Sequence, residues 1–358
     1  MNKIKVLEVL DSIQYGGVEQ VLYNYISNLD KNKYDFTVVT TGKRYYDAEE
    51  KYKKIGVKIF GLPLKKQNFI KYLYLLNKII KDGQFDVVHA HVNYWGFISL
   101  FIAKNRGVKT RIAHVHGIFK KNLIIKVFSY FTIKNSTIRL ACSIQAGKSI
   151  YGNLNFDVLA NGVDVKKFKY ESNVRKKIRE KYKICEDDFV VGHVGRFYEV
   201  KNHFFIIRLF FEFLKINKKA KLMLVGSGTL LDDVKVMVRN LKIEDNVIFL
   251  GSVKKIYEIY NAFDVFVLPS ISEGFGMVVL EAQCNGLKCI VSSGVPREIA
   301  ITNNVVFLPL DDNDRWLSEL KKYSVNNSRN SFCDVISKKG YDIRTNNKKL
   351  EKIYEKGD

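Results

Sequence analysis

The sequence predicts an α/β chain of two doubly wound halves that face each other across a cleft. Short β-branched runs alternate along it with longer helical patterns, which is typical of βαβ units and a parallel sheet. This alternation stops at the polar stretch Asn161–Lys183 and then restarts. The length of 358 residues also fits two domains. In such folds a ligand binds beyond the carboxyl ends of the strands.

The elements of the first half follow from the spacing of apolar residues, which is two in strands and about 3.6 in helices. The predicted strands are Lys5–Val9, Tyr34–Thr40, Val57–Gly61, Val87–Ala90, Thr110–Val115, Arg139–Ser143 and Asp157–Leu159. The predicted helices are Val18–Leu29, Asn68–Lys81, Gly96–Asn105 and Asn122–Lys134.

The second half repeats this arrangement. Its predicted strands are Phe189–Gly195, Lys221–Gly226, Val247–Leu250, Val265–Pro269, Cys289–Ser292 and Val305–Leu308. Its predicted helices are Phe204–Lys215, Leu230–Leu241, Ile256–Ala262 and Gly276–Cys284. The polar segment Lys338–Asp358 is also predicted to be helical, either on the surface or crossing back to the first half. We therefore expect domains at residues 1–160 and 161–337.

The chain is strongly basic, with 59 Lys and Arg against 37 Asp and Glu and a net charge of +22. The excess is +14 in residues 1–160 and +8 in residues 161–358. A basic field of this size favours anionic partners, such as nucleic acid, phosphate ligands or an anionic membrane face. Solvated surface lysines explain the same charge equally well.

Neither the cysteines nor the first residues indicate an extracellular protein. The five cysteines form no CxxC pair and no cluster with metal-ligand spacing, which indicates reduced thiols and no zinc site. The first residues lack the features of a signal peptide, and no window holds 18 consecutive apolar residues. We expect a cytoplasmic protein that is at most peripheral to a membrane.

The strongest motif is the segment Ser272–Ala282, in which two glutamates flank seven residues. Glycine-rich turns let backbone N–H groups approach a ligand, and the helix start behind them favours an anion. Glu273 beside that turn is placed to bind sugar hydroxyls, and Glu281 to accept both hydroxyls of a ribose. The glutamate spacing alone would suit an ordinary solvated helix, but the preceding strand Val265–Pro269 and the EGFG turn favour a ligand site.

Two further motifs follow predicted strands. Arg196 and Lys201 lie five residues apart at a strand end, where both can reach one diphosphate, although two exposed cations are an equally simple interpretation. Gly16 and Gly17 form a phosphate-type turn that matches neither GxGxxG nor a P-loop. A tight strand-to-helix turn explains these two glycines equally well.

The histidines of the first half occur in two pairs, His89 with His91 and His114 with His116. We expect His114 and His116 to point to opposite faces of the strand, which argues against a shared metal. His116, the last residue before a glycine at the carboxyl edge of the sheet, is the candidate for catalysis. The run Asp311–Asp314 precedes a helix, so capping and turn roles suffice there without a metal.

With these motifs in hand, the sequence resembles the family-4 retaining glycosyltransferases of the GT-B fold, in which two Rossmann-like domains face each other across a cleft. The similarity spans nearly the whole chain. It runs through the segments GGVE, HVHG, NGVD, GRF…K, LVGSG, VIFLG, EGFGMVVLE and KKLEKIY. The EX7E block after the GR…K pair is the specific part. Bacterial capsule, exopolysaccharide and O-antigen transferases look most similar.

The resemblance implies a role for each matching residue. Glu281 corresponds to the ribose-binding glutamate, and Glu273 to the glutamate beside the donor sugar. Arg196 and Lys201 correspond to the diphosphate-binding pair, and His116 to a histidine beside the reaction centre. The other implied donor-binding positions are the backbone N–H groups of Phe275, Gly276 and Met277, the nucleotide-side loop at Gly228, and the phosphate loop at Gly16 and Gly17.

Some features vary from the family pattern. Asn202 stands where the family usually has glycine, and His114 where a small residue is common. Neither change removes a charge that the chemistry needs. The last helix of the family returns to the N-terminal domain, and the resemblance implies the same for residues 338–358.

The implied reaction moves a hexose or N-acetylhexosamine from a nucleotide sugar, expected to be a UDP sugar, to a polyprenyl-diphosphate-linked or other glycan acceptor. The resemblance implies retention of configuration and no cofactor or metal, and we expect no nucleic acid partner. The basic helices Asn68–Lys81 and Asn122–Lys134 either contact anionic lipid at the inner face of the membrane or are core helices with solvated lysines. A nucleotide-sugar 2-epimerase of the same fold and a non-catalytic polyanion-binding protein are the alternatives.

Overall fold

The computed structural model of the chain describes residues 3–11, 13, 17–41, 46–92, 95–119, 122–324, 329 and 331–355. The chain forms two compact units. The first unit comprises Met1–Gly162 and Ile343–Asp358, and the second comprises Val163–Asp342. The first boundary therefore lies two residues after the expected position, and residues 338–342 belong to the second unit.

The first unit is built on a seven-stranded sheet in which every pair of neighbours is parallel. Its strands are β1 (Ile4–Leu10), β2 (Tyr34–Thr41), β3 (Lys58–Leu62), β4 (Val87–Val92), β5 (Thr110–Val115), β6 (Ile138–Ala141) and β7 (Asp157–Val158). Its helices are α1 (Gly17–Asn28), α2 (Tyr46–Lys53), α3 (Phe69–Gly83), α4 (Phe97–Asn105), α5 (Leu123–Asn135) and α6 (Ile144–Tyr151). The strand order is β3-β2-β1-β4-β5-β6-β7, so the winding direction reverses between β1 and β4.

The second unit has its own parallel sheet of six strands. The strands are β8 (Phe189–Val194), β9 (Ala220–Val225), β10 (Val247–Gly251), β11 (Val265–Leu268), β12 (Lys288–Ser292) and β13 (Val305–Leu308). The helices are α7 (Ser172–Lys181), α8 (His203–Ile216), α9 (Leu231–Asn240), α10 (Ile256–Ile259), α11 (Met277–Cys284), α12 (Asn313–Ser324) and α13 (Cys333–Lys338). The strand order in this sheet is β10-β9-β8-β11-β12-β13. Buried apolar side chains cover both of its faces.

After the second unit the chain returns to the first through α14 (Ile343–Glu355). This helix packs against α1, and its Leu350 and Tyr354 are each only 1% exposed. The Asn346 amide donates a hydrogen bond of 2.7 Å to the Ala160 carbonyl, which fixes the helix to the end of the first unit. The predicted helix at 338–358 is thus shorter in the structure, because α13 ends at Lys338 and stays in the second unit.

Five α-helices were not predicted as separate elements: α2, α6, α7, α12 and α13. Each of the five is either short or rich in charge, so it offers little apolar length to recognise in the sequence. The predicted strand Arg139–Ser143 ends early because the Ser143 hydroxyl accepts the Ala146 N–H at 3.1 Å and caps α6. The capping role predicted for Asp311–Asp314 is confirmed, because Asp312 accepts the Arg315 N–H at 3.2 Å at the start of α12.

The described part of the chain contains no helix with both the length and the apolar character needed to cross a bilayer.

Replacing Leu350 by Ala is expected to destabilise the first unit, because it leaves a cavity under α14 where the side chain is buried. The expected loss in the free energy of unfolding is about 3 kcal/mol, measured by urea denaturation. The exposed neighbour Lys349→Ala serves as the control and is expected to change that free energy by less than about 0.5 kcal/mol. Equal effects of the two substitutions would contradict the packing assigned to α14.

Candidate active site

The predicted site residues of the second unit follow three neighbouring strands, β9, β8 and β11. Parallel strands end at the same edge of a sheet, so the three following loops meet there. The loop after β11 is tied to the loop after β8 by a hydrogen bond of 2.8 Å from the Ile271 N–H to the Val200 carbonyl. The winding direction reverses between β8 and β11, which is where ligands bind in doubly wound sheets.

Lys201 and Glu273 form an ion pair across this edge, although 72 residues separate them in the sequence. Both side chains are largely buried, with 17% and 12% of their surface exposed. The hydroxyl of Ser270, which is fully buried, donates a second hydrogen bond of 2.7 Å to the same carboxylate oxygen. The carboxylate and the ammonium therefore hold each other in place at the strand ends.

Arg196 belongs to the same loop after β8, and its guanidinium lies 5.1 Å from the centre of the Tyr198 ring. The loop is fixed to the one after β9, because the Phe197 N–H donates to the Ser227 carbonyl at 2.9 Å. Gly228 is required there, since a Cβ at this position would collide with the Phe197 backbone. Gly228 thus shapes the loop that carries Arg196.

The turn before α11 is also set by a glycine. Gly276 has φ +89°, a left-handed conformation that side-chain-bearing residues rarely adopt, and it directly precedes the first helical residue, Met277. The first-turn N–H groups of a helix have no partner inside the helix and carry partial positive charge. The N–H groups around Phe275, Gly276 and Met277 thus offer donors for an anion beside Glu273.

Asn202 follows Lys201 in the left-handed region, with φ +57° and ψ +48°. Asparagine tolerates this conformation better than most residues other than glycine. The substitution of the usual family glycine therefore leaves the loop able to turn into α8.

Glu281 lies about one turn into α11, eight residues after Glu273, where burial raises the pKa of its carboxyl group to about 7. The Tyr260 hydroxyl donates a hydrogen bond of 2.8 Å to this carboxylate, and that bond lowers the pKa against the effect of burial. Near neutral pH the group is therefore poised between its acid and its carboxylate, and only the carboxylate accepts two hydroxyl hydrogen bonds at once.

The predicted site residues of the first unit belong to its own sheet and to the start of α1. His116 directly follows β5, and its Nε2 is 2.7 Å from Nδ1 of His91 on the neighbouring β4. Gly17 begins α1, and Gly16 lies outside the described residues. Burial lowers the pKa of His116 well below its usual value, so the imidazole is neutral.

The expectation that His114 and His116 point to opposite faces is wrong. Residues two apart in a strand share a face, and the two rings lie with their centres 4.0 Å apart. His89 and His91 of β4 lie on that same face, with ring centres 4.6 Å apart. The alternation rule, applied correctly, would have placed all four rings together.

This arrangement brings ligand atoms of His89, His91 and His114 within 4.8 Å of one another, a spacing that could hold a metal ion. His89 Nε2 is 3.2 Å from His114 Nδ1, and His91 Nε2 is 2.9 Å from the Glu8 carboxylate. These hydrogen bonds account for the placement of the rings without an ion.

Several residues that support the site were missed in the sequence. Ser270 and Tyr260 contact the two glutamates, and neither belongs to a motif with a recognisable spacing. Glu8 did carry a signal, because it is the one charged residue in the apolar run VLEVL of the first strand. A charge in the middle of a central parallel strand indicates a buried, partnered group.

Glu281→Gln is expected to stabilise the protein at pH 8 but not at pH 4.5. Folding raises the carboxyl pKa from 4.5 to about 7. Ionisation of this group therefore lowers the free energy of unfolding of the protein as the pH rises between those values. Glutamine keeps the Tyr260 hydrogen bond and carries no charge, so the expected gain at pH 8 is about 1 to 3 kcal/mol. Thermal unfolding of the variant and the wild-type protein at both pH values measures this gain in stability.

Glu212→Gln is the matched control, since that side chain is 47% exposed. A gain for Glu281→Gln that is the same at both pH values would contradict the raised pKa.

Comparison with known proteins identifies the family. The model for Glycosyltransferase Family 4 matches residues 15–167, and the model for Glycosyl transferases group 1 matches residues 174–333. A putative glycosyltransferase of Bacillus subtilis, EpsF, is 30% identical over 98% of this chain and 96% of its own length. The UDP-Gal:alpha-D-GlcNAc-diphosphoundecaprenol alpha-1,3-galactosyltransferase of Escherichia coli is 26% identical over 99% of this chain and 97% of its own.

Solved structures show the same fold. HepE of Anabaena in complex with UDP aligns with a TM-score of 0.80 at 18% identity, covering 98% of this chain and 100% of that one. A glycosyltransferase of Rickettsia africae aligns with a TM-score of 0.79 at 18% identity, covering 100% and 99%. The predicted fold and family are therefore confirmed: the chain belongs to the family-4 glycosyltransferases and has the GT-B fold.

Proposed function

We propose that this glycosyltransferase moves a hexose or N-acetylhexosamine from a UDP sugar to a lipid-linked glycan, with retention of configuration, in the synthesis of a surface polysaccharide. The observation that carries the proposal is the group at the carboxyl edge of the second sheet. There Arg196, the Lys201–Glu273 pair and the start of α11 bring fixed cations, backbone N–H groups and a carboxylate together.

This group suits the departure of a diphosphate. As the bond between the anomeric carbon and the diphosphate oxygen breaks, negative charge builds on the leaving group and positive charge on the sugar ring. Arg196, Lys201 and the N–H groups before α11 stabilise the diphosphate. Glu273, held by Lys201 and Ser270, lies on the sugar side. Because protein groups supply the positive charge, the proposal requires no metal ion.

The acceptor hydroxyl attacks from the face that the diphosphate leaves, so the anomeric configuration is kept. A bond forms between the anomeric carbon and the acceptor oxygen, and the hydroxyl proton passes to the departing phosphate oxygen. Glu281 accepts the two ribose hydroxyls, and His116 positions a hydroxyl near the reacting carbon. Gly16 and Gly17 are the proposed contact of the first unit with the donor phosphate.

The donor and acceptor classes are supported by the relatives. The structures similar to this chain include HepE in complex with UDP and with UDP-glucose. The Escherichia coli relative carries a name that specifies a UDP-galactose donor and a diphosphoundecaprenol-linked acceptor, and a Staphylococcus aureus relative is named for capsular polysaccharide biosynthesis. We transfer only the classes, UDP sugar and lipid-linked glycan, to this protein.

A lipid-linked acceptor requires the enzyme to work at a membrane surface, and the first unit has a face that suits one. Large apolar side chains of α3 and α5 are exposed, including Ile70 at 81% and Leu123 at 77%. The two helices are connected through Trp95, whose ring centre lies 6.2 Å from that of Phe69 and 5.5 Å from that of Phe128. We use the name apolar face for the large exposed apolar side chains of α3 and α5 together with Trp95.

The charge around the apolar face favours an anionic bilayer over a neutral one. Residues 87–156 contain ten Lys and Arg and no Asp or Glu. The exposed Lys71, Lys126 and Lys134 lie on the same two helices as the apolar side chains. Apolar side chains that enter the interface between basic residues are typical of peripheral membrane helices.

Arg196→Ala and Glu281→Ala are each expected to lower turnover of a UDP sugar at least about 100-fold, because each removes a fixed partner of the donor. Release of UDP in the presence of a lipid-linked acceptor measures this, after a thermal-shift panel of nucleotide sugars has identified the donor. Arg315→Ala is the control, since that side chain is 67% exposed. Near wild-type turnover by either site variant would refute the proposal.

Two further arms of the same assay separate the alternatives. Chelation of divalent cations is expected to leave the rate unchanged, and loss of turnover would overturn the metal-independent step. Incubation with donor alone is expected to give no new sugar epimer. An epimer would identify a 2-epimerase instead.

Ile70→Glu combined with Leu123→Glu is expected to weaken binding to vesicles that contain anionic lipid by more than about tenfold, because carboxylates replace the side chains that enter the bilayer. Vesicle co-sedimentation measures it, with zwitterionic vesicles as the reference. Ile216→Glu with Val236→Glu, two exposed apolar positions of the second unit, is the matched control. Unchanged binding by the first variant would exclude the apolar face as the docking surface.

A further inference from the structure

Five titratable side chains line one face of the sheet in the first unit: Glu8, His89, His91, His114 and His116. The strand register explains why they meet. Glu8 of β1 is level with His89 of β4, and His91 of β4 is level with His114 of β5. Alternate residues of each strand share this face. Glu8, His89 and His114 are completely buried, and Tyr354 of α14 covers them.

A hydrogen-bonded chain runs along this face from Glu8 to the carboxyl edge of the sheet. The Glu8 Oε2 lies 2.9 Å from His91 Nε2, and His91 Nδ1 lies 2.7 Å from His116 Nε2. The second Glu8 oxygen accepts the Tyr354 hydroxyl at 2.8 Å. The chain therefore connects an interior carboxylate to the histidine that the proposed function places beside the reacting sugar.

The charge states along the chain fix its hydrogens. Burial alone would raise the pKa of Glu8, but its interactions with His89 and His91 outweigh burial and hold it well below its usual value. Burial lowers the pKa values of His91 and His116, against the opposing effect of Glu8 on His91 and of Asn161 and Glu8 on His116. The carboxylate is thus ionised and both of these imidazoles are neutral.

An ionised carboxylate only accepts hydrogen bonds, so His91 carries its hydrogen on Nε2. A neutral imidazole has one hydrogen, so His91 Nδ1 is a lone pair and must accept from His116 Nε2–H. His116 in turn keeps a lone pair at Nδ1. Asn161 lies beside this ring, yet among the described residues neither His116 Nδ1 nor the Asn161 side-chain oxygen has a partner at hydrogen-bond geometry.

We infer that Glu8, acting through His91, is a positioning residue that locks His116 in the tautomer with its hydrogen on Nε2, so that Nδ1 accepts a hydrogen bond from a sugar hydroxyl. A hydroxyl group is the ligand that fits, because it donates one hydrogen to an acceptor. The buried, unsatisfied Asn161 oxygen beside the ring accepts from a second hydroxyl of the same sugar or from water. This role of the chain rests on the proposed function, but its effect on the tautomer does not.

Nitrogen-15 NMR of the histidine-labelled full chain tests the inference directly, because protonated and lone-pair ring nitrogens have distinct shifts. The His116 signals are assigned by their loss in His116→Gln. In the wild-type protein Nδ1 is expected to be the lone-pair nitrogen and Nε2 the protonated one. A protonated Nδ1 at neutral pH would overturn the inference without any measurement of turnover.

Glu8→Gln is expected to reverse the tautomer. Tyr354 donates to Oε1 of Glu8, so in the variant the amide oxygen takes that place and the amide NH2 faces His91 Nε2. His91 then accepts at Nε2 and carries its hydrogen on Nδ1, and His116 accepts at Nε2 and carries its hydrogen on Nδ1. Glu8→Asp retains an acceptor-only group and is expected to keep the wild-type tautomer. Tyr354→Phe, which removes the other hydrogen bond of the same carboxylate, is the matched control for a purely structural effect and should also keep it. An unchanged tautomer in folded Glu8→Gln would refute the inference.

Turnover adds a second measurement. Glu8→Gln is expected to lower transfer about tenfold, the size of one lost hydrogen bond, while Glu8→Asp recovers most of the rate. If the hydroxyl belongs to the donor sugar, Glu8→Gln lowers the slow rate of donor hydrolysis without acceptor as much as it lowers the rate of transfer. If the hydroxyl belongs to the acceptor, only the rate of transfer falls. A Tyr354→Phe variant that loses as much turnover as Glu8→Gln would contradict a role specific to the chain.

Discussion

The parallel direction of the strands is the constraint on which the site depends. Because β9, β8 and β11 run the same way, their carboxyl ends deliver three loops to one edge, and each loop brings one part of the donor-binding group. Lys201 and Glu273, 72 residues apart, meet there only because β8 and β11 are neighbours. The same geometry in the first unit brings His91 and His116 together from adjacent strands. Neither cluster would survive reversal of one strand.

Much of this arrangement could be predicted from the sequence, because buried parallel strands and EX7E blocks have strong local signals. The strands of both sheets lie within a few residues of the predicted ones, and Glu273 and Lys201 meet as their positions after adjacent strands suggest. The helices α2 and α7 were missed because charged residues dominate them and leave few apolar positions to recognise. Tyr260 was missed because only the tertiary fold brings it to Glu281, and Ser270, three residues before Glu273, because a serine at that distance is no specific signal.

Two enclosed carboxyl groups show how partners decide the charge of a buried acid. Glu8 is completely buried and yet its pKa lies well below the usual value, because its interactions with His89 and His91 outweigh burial. Glu281 has the Tyr260 hydroxyl as its hydrogen-bond partner among the described side chains, and burial raises its pKa to about 7. The number and charge of the neighbouring donors, and not the depth of burial, therefore account for the difference between the two pKa values.

The return of α14 to the first unit affects how the polypeptide folds during its synthesis. The first unit lacks Leu350, Tyr354 and the Asn346 bond to Ala160 until the ribosome has produced the whole of the second unit. Domains generally fold in the order in which they emerge, but here the earlier-emerging unit is completed last. Until then its sheet exposes the surface that α14 later covers, including the buried Glu8 and His89 that Tyr354 contacts.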